Sequence, residues 1–262
     1  MLRYLKLLAV QMRISVASGM AYRADFLIEG VTSLAWMALT LLPYYVLFAD
    51  RASVADWDAA SGLIVIAYFL GIRGVLEGVV SPSFVDLVER IRSGAFDYVL
   101  LKPVDAQAIV SASRFEPWKI FDLLGAIALI IYAFAKKGHA PAGVDIVLGI
   151  LLFVAGVLAM YALWMLCAAA SFWVVRLDNL TYLLGAIFDT GRWPVHVFPR
   201  AWRLVFTFVI PIAVMTTYPA MALLGLLDAK ATLATIGGAL ALLVISRLIW
   251  RAAIRSYTSA SS

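Results

Sequence analysis

Long apolar runs alternate with short polar breaks along this 262-residue chain, at about 26–48, 60–80, 118–135, 144–175, 180–195 and 232–250. A helix rising ~1.5 Å per residue needs ~20 apolar residues to cross ~30 Å of hydrocarbon. The pattern therefore predicts six membrane spans, the fourth long enough to tilt or project and the fifth short. One break differs from the others. Residues 84–103, FVDLVERIRSGAFDYVLLKP, form a charged, half-apolar segment between two oily runs. Phe84, Val88 and Ile91 recur at i, i+4 and i+7 and share one helical face, while Asp86, Glu89, Arg90 and Ser93 occupy the rest. Gly94 supplies a helix stop. The segment reads as a short helix whose apolar face docks in a groove on a soluble partner, or else rests on the membrane. The compact run that follows, from Gly94 to Pro103, is expected to tie that helix to the next span.

The stretch 192–227 breaks the pattern in another way. Pro194, Pro199, Pro211 and Pro219 interrupt any straight helix there. Backbone broken at membrane depth must be covered by protein or line a wet cavity, so a re-entrant pair of short helices is expected. The competing reading is one kinked span over 203–227.

Composition fixes the class. The chain is 64% hydrophobic and 14% charged, far from the ~45–50% and ~25% of soluble domains, so an all-α integral membrane protein with a single domain over 1–262 is expected. The net charge of +5 sits at span ends, where topology and lipid headgroups account for it, and nucleic acid is excluded as a partner. Thirteen Lys and Arg (3, 6, 13, 23, 90, 92, 102, 114, 119, 176, 247, 251, 255) fall on one side and seven (51, 136, 137, 192, 200, 203, 230) on the other, with Arg73 inside the second span. Both termini and the charged segment are thus expected in the cytoplasm, with the protein multi-pass in the cytoplasmic membrane. Leu2, Leu5, Leu8, Met12 and Val16 recur at helical spacing, so residues 1–22 read as an amphipathic interfacial helix rather than a cleavable signal.

No phosphate loop and no HExxH motif occurs, and one cysteine, Cys167, leaves neither a disulfide framework nor a Cys-rich metal site. No catalytic, cofactor or metal residues are expected. Charges inside the spans carry more information. Arg73 and Glu77 stand four apart on one helical face, suited to pairing with each other, to a pathway or interhelical role, or to snorkelling at the inner boundary. Asp189 and Arg192, three apart, read as a local ion pair capping the broken region, with substrate recognition as the alternative.

IRSGAFDYVLLKPVD (91–105) resembles the I-x-x-G-x-h-D-x-h-L-h-x-P block, h being apolar, of permease subunits in type-2 ABC exporters. GRWPVHVFPRAWRLVFTFVIPIAVMTTYPAMALLG (191–225) is similar to a second, proline-rich block of that family. The resemblance implies six spans, an N-terminal elbow helix, a cytoplasmic coupling helix and short re-entrant helices before the last span. It also implies a second permease subunit, identical or a sister, and ATPase subunits that bind ATP and Mg in place of this chain. By position, ATPase coupling falls to Phe84, Val88, Arg90, Ile91, Arg92, Gly94, Phe96 and Asp97. The outer gate falls to Pro194, Pro199, Pro211 and Pro219. The expected function is export of a hydrophobic or amphiphilic compound such as a drug, antibiotic or lipid. A lipid- or isoprenoid-modifying membrane enzyme and an ion-coupled transporter are the alternatives.

Overall fold

The computed structural model describes residues 9–17, 23–173 and 178–257. Helix α1 (9–17) exposes Met12 and Val16, while Leu2, Leu5 and Leu8 of the expected elbow stripe lie outside the described residues. Helix α2 (Arg23–Ala49) leads to a hairpin of β1 (Ser53–Val54) and β2 (Trp57–Asp58). Its two turn residues, Ala55 and Asp56, have φ of 50° and 67°, the mirror-image turn that matches strand twist. The Asp58 carboxylate then accepts from the Ser61 amide at 3.0 Å and starts α3 (Ala59–Val75). The end of the molecule carrying this hairpin is called the hairpin end, and the opposite one the basic end.

Helix α3 does not stop where the apolar run does. It passes through one π turn (Leu76–Val80) into α4 (Ser81–Arg92), giving an unbroken helical stretch of 34 residues, Ala59–Arg92. At ~1.5 Å per residue that is ~50 Å, more than hydrocarbon thickness requires. The charged segment is therefore the far end of the second span rather than a separate helix. Beyond it come α5 (Asp97–Leu100), α6 (Ala106–Val110), a 3-10 turn (Pro117–Lys119) and α7 (Ile120–Lys137), which closes at Gly138. Helix α8 (Gly143–Ala170) runs back to the basic end.

Then regularity fails. Helix α9 (Asp178–Asp189) has 12 residues and gives way to 3-10 turns at Thr190–Arg192 and Val195–Val197. Helix α10 (Arg200–Leu204) continues as a π turn, Val205–Val209, and the helix breaks at Ile210, which is extended. A further π turn (Ala213–Thr217) leads into α11 (Tyr218–Leu223), and α12 (Ala229–Arg255) completes the described chain.

Five of these stretches are long and apolar enough to cross a membrane: Phe26–Ala49, Ala59–Arg92, Pro117–Lys137, Gly143–Ala170 and Ala229–Arg255. The run at 180–195 is not among them, because its helix gives way to tight turns ahead of Pro194. Helix α3 is the buried axis, packed on α7, while α8 packs on α12 and carries α11.

The segment after α9 leaves the hairpin end and returns to it. Trp57 and His196 rings lie 6.3 Å apart there. Met215 then sits against Gly156, about 20 Å along α8, where any Cβ would meet the Met215 Cα at 3.0 Å. Leu223 packs at Gly149 and Gly225 at Asp145, back at the start of α8. This reversal at Ile210 and Pro211 replaces the kinked span over 203–227. Pro219 breaks nothing, contrary to expectation. It follows the π turn Ala213–Thr217 directly, and the helix runs through it into α11, the wider turn accommodating the missing amide hydrogen.

Candidate functional site

The helix stop after α4 is built from backbone. Ser93 caps it, Gly94 takes φ of 76°, and the Phe96 amide donates to the Arg90 carbonyl at 2.9 Å. A side chain at position 94 would be strained in that left-handed conformation. The reversal carries Phe96 under α4 and into the core, where it is 0% exposed. It meets Phe172, Trp250 and Tyr257 edge-on, with ring centroids at 5.4, 6.3 and 5.3 Å. Edge-to-face rings of this kind add to the large apolar burial each aromatic brings. The box joins the segment to the ends of α8 and α12.

A polar clasp repeats that connection about one turn away along α12. The Arg247 guanidinium grips both oxygens of Asp105 and donates to Gln107 Oε1 at 2.5 Å. Gln107 Nε2 donates to the Tyr161 hydroxyl at 3.0 Å, and Ser111 Oγ lies 2.6 Å from the same oxygen. The hydrogen bond from Arg247, stronger than the partial burial that opposes it, holds the Asp105 carboxyl below its usual range. The segment is thus tied to α8 and α12, not to α7 as its place in the sequence suggests.

These contacts reverse part of the expected docking face. Phe84 is 8% exposed and Leu87 1%, and Val88 and Ile91 pack against the same core. An amphipathic helix turns its apolar side to whatever core is nearest, and here that core is the chain's own. Phe84 and Phe96 are therefore covered by the chain itself, and Val88 and Ile91 are half-buried. Arg90 donates to Asp86 at 2.8 Å, Arg92 is exposed, and Asp97 opens α5. What faces outward is Val85, Glu89, Tyr98 (71% exposed), Leu101 (80%) and Lys102. The sequence held a clue in YVLLKP, where Tyr98 and Leu101 are three apart and cannot share the buried face of Val99.

The intramembrane charges form a chain. Arg73 Nε donates to Glu77 Oε1 at 2.7 Å, and Lys119 Nζ to Glu77 Oε2 at 2.5 Å. Lys119 also lies 3.6 Å from Asp122 Oδ2, whose other oxygen accepts from Ser33 Oγ at 2.5 Å. Helices α2, α3 and α7 are joined by it, so Arg73 pairs inside the protein rather than snorkelling. Lys119, Asp122 and Ser33 escaped the sequence reading, although an acid three residues after a lysine at a span entrance is itself a signal. Asp189 and Arg192 do pair locally, at 3.6 Å, with the Arg192 guanidinium 5.8 Å from the centre of the Phe69 ring. Pro194 and Pro199 each precede a short helical turn, the first of them beside Trp57, and Pro211 is part of the reversal.

The family model described as ABC-2 family transporter protein matches residues 34–261. This chain belongs to that family. The ABC-2 transporter is accordingly a multi-pass membrane permease, and membership implies an ABC ATPase as its partner. No curated protein and no solved structure matches it.

Proposed function

We propose that this ABC-2 transporter is the permease subunit of an ATP-driven exporter that moves a hydrophobic or amphiphilic compound across the cytoplasmic membrane. ATP and Mg bind in the separate ATPase subunit, and this chain has no catalytic activity of its own. A second permease subunit, identical or a sister, completes the transport unit. The basic end faces the cytoplasm, in keeping with its excess of Lys and Arg. Residues 178–197 serve as the sixth crossing in spite of their broken helix, and Arg200–Val209 with Ala213–Leu223 form the outer re-entrant pair. Protein packing around Met215 satisfies the condition for broken backbone at that depth.

The observation that carries this reading is the pairing of exposed Tyr98 and Leu101 with a rigid base. Two large apolar side chains project from a reversal that is clamped to α3, α8 and α12 at once. Apolar residues held so firmly in the open suit a docking contact. A push delivered there reaches three spans as a rigid-body displacement.

Co-purification with the partner ATPase tests it. Tyr98→Asp and Leu101→Asp should leave the chain folded, abolish complex formation and uncouple ATP hydrolysis from transport. Retention of both complex and coupling in the double variant would remove Tyr98 and Leu101 from the docking role. Failure of the wild-type chain to capture any ABC ATPase would remove the exporter reading itself.

A further inference from the structure

A cavity of about 740 Å³ opens at the basic end beneath α1, between the start of α2, the start of α4 and the connection that precedes α7. Its wall carries three aromatic residues, Phe26, Phe115 and Trp118, and two glutamates, Glu77 and Glu116. The two acids differ. Glu77 has both oxygens occupied, one by Arg73 and one by Lys119. Among the described residues nothing donates to the Glu116 carboxylate and no cation pairs with it. Arg114, the cation of the same wall, is largely in solvent and leans 3.9 Å from Asp86. Nearby, Ser113 Oγ is sealed from solvent and has no hydrogen-bond partner among the described residues.

Glu116 is held there by backbone. Its amide donates to the Gly78 carbonyl at 2.8 Å, which fastens the connection to the π turn. The residue stands one position before Pro117, where the third apolar stretch begins. That is the depth at which headgroups meet acyl chains, so a molecule entering from the bilayer would keep its polar group at Glu116 and its apolar body among the rings. Burial raises the Glu116 carboxyl above its ordinary pKa, with Lys119 and, less, Arg114 opposing and Glu29 and Glu77 adding to the rise. An arriving cation would relieve that cost.

We infer that this cavity is the binding site for the cationic head of an amphiphile, with Glu116 as its counter-charge and Phe26, Phe115 and Trp118 as its aromatic flank. Aromatic faces attract organic cations and reject anions of the same shape, so the site selects by sign as well as by size. The inference rests on the exporter reading only in naming the amphiphile as cargo.

Tetraphenylphosphonium and tetraphenylborate, near-identical in shape and opposite in charge, provide the probes. Binding of each to the full chain in nanodiscs, with empty nanodiscs as reference, needs neither ATP nor the partner. The phosphonium should bind saturably and the borate should neither bind nor compete. Glu116→Gln should weaken phosphonium binding about tenfold, the size expected of a lost partly buried charge attraction, while Glu116→Asp retains it. Equal affinity for the two ions would overturn the inference, and so would phosphonium binding unchanged in Glu116→Gln. Selective binding without capture of an ATPase would sink the exporter reading alone. Capture of an ATPase without selective binding would sink the cation site alone.

Discussion

The basic end is held together twice, by opposite chemistry. On the α2, α3 and α7 side the connection is ionic, running from Arg73 through Glu77 and Lys119 to Asp122 and Ser33. On the α8 and α12 side its centre is aromatic, with Phe96 inserted among Phe172, Trp250 and Tyr257, and the Asp105–Arg247 clasp only adds to it. An ionic chain is specific in geometry and weak in net stabilisation, because each charge must first be desolvated. An aromatic box is strong and comparatively indifferent to pH and salt. The side that carries the exposed Tyr98 and Leu101 is the one with the strong connection. The side lining the cavity near Glu116 is the one whose contacts can exchange partners.

Removing the centre of the box gives the largest expected effect. Phe96→Ala should destabilise the chain by about 3–5 kcal/mol, seen as a lower thermal midpoint in detergent, because a fully buried ring leaves a cavity its neighbours cannot fill. A loss under about 1 kcal/mol would mean that the box is ornamental and the contrast false. Lys119→Met comes next, at about 3 kcal/mol, since it leaves Asp122 without its cation and Glu77 with only Arg73. Here a second change should help. Adding Asp122→Asn should recover part of the loss, whereas adding Trp250→Ala to Phe96→Ala should recover none. Equal behaviour of the two double variants would dissolve the comparison.

The smallest effect is expected at the clasp. Arg247→Lys gives up the two-pronged grip on Asp105 for about 1 kcal/mol. The Asp105 carboxyl is held below its unfolded value of about 3.9, so its contribution is complete above that pH and disappears as pH falls through the lower, folded value. Urea melts between pH 3 and 6 should therefore separate wild type from Asp105→Asn most at the upper end of that range and less at the lower.

Much of this was legible in the sequence. Five of the six apolar runs became long helices, since unbroken apolar length is a direct physical requirement of a bilayer. The Arg73 and Glu77 pair followed from spacing alone. What failed were questions that spacing cannot decide. An i, i+4, i+7 stripe identifies the apolar face of α4 but not whether protein or partner covers it, and Phe84 turned out to be covered by the chain itself. Residues 180–195 have the composition of a span, yet the turns at Gly191 and Pro194 end the helix early. Lys119 and Asp122 were hidden because their partners, Glu77 and Ser33, lie 42 and 89 residues away.

The π turn at Leu76–Val80 has one further consequence. Compared with an α-helix, a single π turn amounts to one inserted residue, and each residue of an α-helix turns it by about 100°. The five residues therefore set the phase between the membrane part of the long helix and its protruding tip. With a plain α-helical turn instead, Phe84 and Leu87 would rotate out of the core and the exposed side of α4 would rotate in. The face that the tip of the long helix turns outward is thus fixed by a miscount in the backbone.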